Sequence, residues 1–304
     1  VFKVLFPFSI KKHCWKNLFY STLFKKTRNI LYNFTKICYT KRMKEEKRPF
    51  LSVITINRNN AEGLKRTIES VVSQQNVNFK TEVEYIIIDG NSTDKSVFYI
   101  EQLEKKFKNT VSSWISEPDT GIYNAMNKGI QKATGQYLHF LNSGDFYEKD
   151  ALSNIILSLK THPDLLIMAV NLLTDNVDNI EKIEIRNPPI LKHSSLHHQG
   201  IIYKKDFHSQ YGLYDESFKF AADYKFCLDA FYKKNIQIGY IYTPSVYFET
   251  NGVGNSENSI KEIYSIQETY FPANSNKKFK FLRKLIKNIL PYGIVNLILK
   301  WLCR

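Results

Sequence analysis

Cysteine is scarce in this sequence. Its four cysteines (Cys14, Cys38, Cys227 and Cys303) are widely separated in 304 residues, and no CxxC pair occurs. That excludes a disulfide framework and a structural zinc module, and it fits a reducing compartment. No run of 18 or more apolar residues occurs, so no helix is expected to span a membrane. No GxGxxG follows a strand-like segment, and GxxxxGK[ST] and HExxH are absent. A dinucleotide fingerprint, a P-loop and a zincin helix are therefore excluded. What is present is an ordinary globular composition, 43% apolar, 24% charged and 14% aromatic, enough for one large domain or two small ones.

The net charge of +14 suggests a nucleic-acid binder until it is divided along the chain. Residues 1–48 hold 13 Lys/Arg against 2 Asp/Glu, and residues 277–304 hold 8 Lys/Arg and no acid. The 228 residues between them carry 22 basic and 27 acidic side chains. A mildly acidic body is poorly suited to tracking a phosphate backbone, so no nucleic-acid partner is expected.

The two basic ends differ. Residues 1–48 are aromatic-rich without a clear helical or strand period. They read either as a membrane-surface segment or as an extension upstream of a natural start at Met43. Residues 257–304 are expected to be helical. Within them Phe281, Leu282, Leu285, Ile286, Ile289 and Leu290 share one helix face, opposite Arg283, Lys284 and Lys287. Such basic amphipathic helices either lie in the membrane interface or pack on the protein's own core. The expected location is thus cytoplasmic, peripheral at the inner face of the cell membrane.

Between the ends, residues 49–256 read as one α/β domain. Strand-like segments at 51–57, 83–89, 111–117 and 136–142 alternate with helical ones at 61–75, 95–108 and 122–133. This order predicts a Rossmann-like, mostly parallel sheet flanked by helices. Its strands end in Asn57, Asp89, Glu117, and Asn142 followed by Asp145. In a parallel sheet these ends share one edge, where open α/β sheets bind ligands. With no glycine-rich phosphate loop, a divalent cation held by carboxylate is the natural way to neutralise a nucleotide's phosphates.

The stretches TINRNNAEGLKRTIESVVSQ, EYIIIDGNSTD, ISEPDTGIYNAMNKGIQKATGQYLHFLNSGD, HHQGIIYKK and FAADYKFCL occur in that order. Together they resemble the family 2 glycosyltransferases, GT-A enzymes of bacterial surface-polysaccharide assembly, over about residues 49–254. The resemblance implies an inverting, metal-dependent transfer from a nucleotide-diphosphate sugar, a UDP- or GDP-sugar, to a glycan or lipid-linked acceptor. It assigns Thr55 and Asn57 to the first strand end against the nucleotide and Asp89 to the base or ribose. Asp119, Asn127 and Lys128 fall in the block lining the nucleotide pocket, and Asn142 and Gly144 in the loop before Asp145. Asp145 corresponds to the last acid of the metal motif, with Mn²⁺ or Mg²⁺ as the cofactor and His198 as a further ligand. Asp223 corresponds to the general base. The chain departs from the family twice: the metal motif keeps a single acid, and Asn124 stands where Asp is usual.

His139 and His193 are expected to be structural, His197–His198 to head a strand, and Glu249 with residues 251–258 to form either a lid or a plain loop. Two competing functions keep a place. A sugar nucleotidyltransferase has a similar sheet, but the loop Asn57–Gly63 holds one glycine where its activating loop needs several. A non-enzymatic basic membrane-binding protein explains the ends and not the acid-tipped strands.

Overall fold

A computed structural model describes residues 48–108, 110–173, 180–183, 197–232, 234–249 and 256–271. The expectations for residues 1–47, His193, most of the 251–258 loop and the basic helix at 277–304 lie outside the described residues. Among the described residues no helix is long and apolar enough to cross a membrane.

In chain order, β1 (Leu51–Asn57), α1 (Ala61–Val72), β2 (Val83–Asp89), α2 (Ser96–Lys106), β3 (Ser113–Ser116), α3 (Ile122–Lys132) and β4 (Tyr137–Phe140) alternate as expected. Then follow β5 (Phe146–Tyr147), α4 (Ala151–Leu159), β6 (Leu165–Leu173), β7 (Ile180–Ile183) and β8 (Ile201–Lys204). The described part ends with α5 (Asp206–Tyr211), α6 (Ala222–Phe231), β9 (Ile238–Glu249) and α7 (Glu257–Tyr270).

Among the described residues nine strands form one sheet in the order β3-β2-β1-β4-β8-β6-β9-β5, with β7 pairing β6. The β3-β2-β1-β4 part is wholly parallel. Beyond β4 the sheet is mixed, because β8 runs antiparallel to both β4 and β6 while β9 runs parallel to β6.

Both faces of the sheet are covered, which explains the near-continuous apolar strands. Ile54, Ile56, Ile86 and Ile88 point to one face and pack with Met126 and Ile130 of α3 and Phe226 of α6. Leu51, Val53, Val83, Tyr85 and Ile87 point to the other, against Leu64 and Ile68 of α1, Ile100 of α2 and Ile155 of α4. The alternation follows from the two-residue period of a strand. Helix α1 starts where the Asn60 side chain accepts the Gly63 N–H at 3.2 Å. Gly129 lets α3 lie close on β1, since a Cβ there would stand 2.5 Å from Ile54 Cγ2.

One local expectation is corrected. His197–His198 does not head a strand: His198–Gly200 is a single 3₁₀ turn before β8. A Cβ on Gly200 would meet the Met168 carbonyl at 2.8 Å, so the turn lies tight against β6. The helix bearing Asp223 begins at Ala222, so Asp223 lies in its first turn.

Candidate active site

The register Asn57↔Asp89↔Ser116 aligns the ends of β1, β2 and β3. There the fully buried Asp89 carboxylate accepts four hydrogen bonds. Oδ1 accepts from Asn57 Nδ2 (2.7 Å) and Ser92 Oγ (2.6 Å), and Oδ2 from the Ser92 N–H (2.9 Å) and Ser116 Oγ (2.6 Å). Asp89 therefore knots three strand ends together. Asn57 keeps its own buried Oδ1 without a partner. Thr55 faces the sheet interior, donating to the Leu141 carbonyl at 2.7 Å beside Tyr85.

The block after β3 folds over this knot. The Asp119 carboxylate pairs with Arg58 (3.2 Å), accepts the Gly121 N–H (3.1 Å), and covers Gly90 so closely that a Cβ there would stand 2.1 Å from Oδ2. Asn127 is consumed internally: Nδ2 donates to the Tyr214 carbonyl and Glu216 Oε1, and Oδ1 accepts the Tyr214 N–H. Lys128 binds the Pro118 carbonyl (2.7 Å) and Glu117 (2.9 Å). Asn124 donates to Glu216 Oε2 at 3.0 Å. An Asp there would set two carboxylates against each other, which accounts for this departure from the family pattern.

Across the edge, Asp145 is 4% exposed. Its Oδ1 accepts the Glu249 N–H (3.1 Å) and its Oδ2 accepts Gln199 Nε2 (3.0 Å). Burial pushes its carboxyl up to about 7, against those two hydrogen bonds. Gly144, at φ +107°, brings the backbone under Glu249, where a Cβ would lie 2.6 Å from Oε2. Arg66 binds the Gly144 carbonyl (3.0 Å), pairs with Glu249 and lies over the Phe146 ring.

Asp223 stands on the far side of the 3₁₀ turn. Its Oδ1 accepts the Tyr123 hydroxyl at 2.7 Å, and its Oδ2 lies 3.6 Å from His198 Nδ1. His198 Nε2 meets Asn142 Nδ2 at 3.0 Å. Burial lowers the His198 pKa, and the charge of Asp223 opposes that shift. The dipeptide His198–Gln199 thus presents one side chain to Asp223 and the next to Asp145. His139 supports it from beneath: Nε2–H donates to the Gln199 carbonyl (2.8 Å), and Nδ1 accepts the Tyr147 hydroxyl (2.5 Å). That pairing fixes the tautomer, and burial pushes His139 down to about 4.

Whether these residues suit a cation is decided by their donor chemistry. No group of three or more His, Cys, Asp or Glu gathers to hold a metal among the described residues. Asp145 nevertheless offers a carboxylate whose charge is under-compensated, and Asn142 Oδ1 is a buried oxygen without a partner. Hard oxygen donors of this kind suit Mg²⁺ or Mn²⁺ as a partial set, to be completed by the oxygens of a ligand.

Tyr123, Arg66 and Glu216 belong to this edge and went unread in the sequence. Tyr123 and Arg66 lay within stretches already singled out. Glu216 sits at a loop position with no spacing to mark it.

The family model for Glycosyl transferase family 2 matches residues 52–219. An uncharacterized glycosyltransferase of Mycobacterium tuberculosis is 32% identical over 200 residues, covering 60% of this chain and 69% of the relative. A PGL/p-HBAD biosynthesis glycosyltransferase of Mycobacterium bovis is 24% identical over 220 residues, covering 68% and 80%. Among solved structures, S. aureus TarS in complex with UDP superposes with a TM-score of 0.58 at 20% identity, covering 72% of this chain and 64% of that one. The matched part is thus just under two thirds of the TarS chain. A mannosyltransferase of Pyrobaculum calidifontis, in complex with GDP-Man and Mn²⁺, gives 0.54 at 14% identity, covering 84% and 80%. These likenesses set aside the nucleotidyltransferase and non-enzymatic readings, and they agree with the mixed sheet. The chain belongs to glycosyl transferase family 2 and is a glycosyltransferase with the GT-A fold.

Proposed function

We propose that this glycosyltransferase is metal-dependent and moves a sugar, with inversion, from a nucleotide-diphosphate sugar to a hydroxyl of a lipid-linked or polysaccharide acceptor in surface-glycan synthesis. The observation that carries this reading is the His198–Gln199 turn. It holds Asp145 on one side and Asp223 on the other, at the strand edge where α/β sheets bind ligands. The complexes with UDP and GDP-Man among the structural neighbours favour a UDP- or GDP-sugar as donor.

Asp145, with Asn142 and His198, would hold the divalent cation. When bound, that cation would supply Lewis-acid stabilisation of charge developing on the diphosphate leaving group. Asp223 would accept the proton of the acceptor hydroxyl on a carboxylate oxygen as the hydroxyl attacks, a contribution of about 10²–10⁴-fold. With the base opposite the leaving group, one displacement inverts the anomeric carbon.

The remaining donor-site residues divide in two. Asp89, Asn127 and Lys128 act through the bonds described above, setting the shape of the pocket. Asn57, Asp119 and Gly144 line it, and Thr55 fixes the strand beneath. The basic ends would keep the enzyme peripheral at the inner face of the cell membrane by attraction to anionic lipid.

Calorimetric titration with UDP, GDP, dTDP and CDP, each with and without Mn²⁺, tests the reading on the wild type and Asp145→Ala. Mn²⁺-dependent binding of one nucleotide, lost in the variant, is the expected result. Equal binding with and without Mn²⁺ would remove the metal from the proposal.

A further inference from the structure

The helix that carries Asp223 has no cap of its own. Its N-cap is Ala221, which offers no side-chain acceptor to the free N–H groups of the first turn. Two side chains from elsewhere in the chain hold the helix start and the segment leading into it. Glu262, on α7, accepts the N–H groups of Lys219 (2.9 Å), Phe220 (2.8 Å) and Ala221 (3.1 Å) on its two carboxylate oxygens. Tyr123, in the first turn of α3, donates its hydroxyl to Asp223 Oδ1 at 2.7 Å. The backbone amides of Ala222 and Asp223 also face that hydroxyl oxygen.

Tyr123 is not free to drift. Tyr123 is buried, 5% exposed, with its ring 5.6 Å from that of Tyr214. Tyr214 is itself tied through its backbone to Asn127, on the same α3. Helix α3 follows Asp119 and Gly121 directly, so Tyr123 links the block that folds over the strand ends to the first turn of α6.

We propose that Tyr123 and Glu262 are positioning residues that seat the first turn of α6. Tyr123 fixes the Asp223 carboxylate from the donor side, and Glu262 anchors the approach to the helix from the C-terminal side. The importance of this seating for catalysis rests on the reading of Asp223 as the base. Placement of a reacting group to within a fraction of an ångström governs rate more than affinity, so loss of either anchor should act on turnover and not on donor binding.

The test uses the full chain as wild type, Tyr123→Phe, Glu262→Gln, Glu262→Ala and Asp223→Asn. Backbone hydrogen exchange over residues 219–226 reports the seating directly. Loss of the Tyr123 hydrogen bond predicts about tenfold faster exchange there in Tyr123→Phe, and loss of the three bonds to Glu262 at least as large a rise in Glu262→Ala, with other segments unchanged. UDP release from UDP-GlcNAc with Mn²⁺ supplies kcat and KM: kcat should fall about tenfold or more at nearly constant KM. Glu262→Gln, which retains an acceptor oxygen, should recover part of what Glu262→Ala loses.

Unchanged exchange in both Tyr123→Phe and Glu262→Ala overturns the proposal, and so does a rise in KM at constant kcat. The exchange measurement needs no turnover and decides alone if UDP-GlcNAc is not the donor. Asp223→Asn separates the two readings. If it turns over like the wild type, the base assignment fails while the seating still stands or falls by exchange.

Discussion

Asp89 and Asp145 follow strands at the same edge of one sheet, both are buried, and both descend from motifs that stand out in the sequence. Their surroundings are opposite. Asp89 receives four donors, two of them from side chains on neighbouring strands, and is closed off as a structural knot. Asp145 receives two, next to a second carboxylate and an amide oxygen without a partner, and burial leaves its carboxyl up at about 7. A carboxylate saturated by its own protein stabilises the fold. One left short of partners is costly to the fold and available to a ligand. Of two acids that follow parallel strands, Asp89 serves the fold and Asp145 is left open.

The sharpest way to break this contrast is to delete each acid in turn. Asp89→Ala strands buried donors on Asn57, Ser92 and Ser116 and should destabilise the protein by about 4 kcal/mol, measured by urea unfolding. Asp145→Asn should do the reverse. Metal-free, the variant should be at least as stable as the wild type, because an uncharged side chain replaces an under-compensated carboxyl. Its Mn²⁺-dependent nucleotide affinity should nevertheless fall by about 10–100-fold, the scale on which metal sites respond to loss of a supporting group. If Asp89→Ala folds as well as the wild type, or Asp145→Asn unfolds, the contrast is wrong.

A smaller effect separates the buried histidines from the site. Burial pushes His139 and His208 down to about 4, so in the folded protein both stay neutral while the unfolded chain titrates near 6.5. Stability is therefore full above 6.5 and falls as pH drops from there toward 4, by up to about 1.4 kcal/mol per pH unit for each histidine. Thermal unfolding across that range checks it, and removing His208 by substitution should flatten the slope. The smallest effect belongs to Arg66→Ala. Its ion pair with Glu249 is 44% and 40% exposed, and its loss should cost under about 1 kcal/mol in stability.

The order of elements from β1 to β4 was legible in the sequence, β1 and β2 residue for residue because both faces of those strands are buried, whereas β3 and β4 are shorter than expected. The candidate acids were legible too, through motifs and their position after strands. Roles within the site were less so. Asn127 reads as a ligand contact by its motif, yet its amide is fully occupied by Tyr214 and Glu216, some 90 residues away. The histidine pair reads as the head of a strand, yet it forms a 3₁₀ turn because Gly200 packs against the β6 backbone.

By itself, then, the sequence determined the alternating α/β order, the shared polar edge and the family. All three depend on local patterning and on short motifs contiguous in the chain. Only the tertiary structure decided which acids are saturated and which are left open, and who caps the helix of Asp223. Those answers depend on hydrogen bonds between residues 32 to 183 positions apart, such as Asn57–Asp89, Tyr123–Asp223 and Arg66–Glu249. No local pattern encodes such partners, because a hydrogen bond is set by where two atoms meet in space and not by their spacing along the chain.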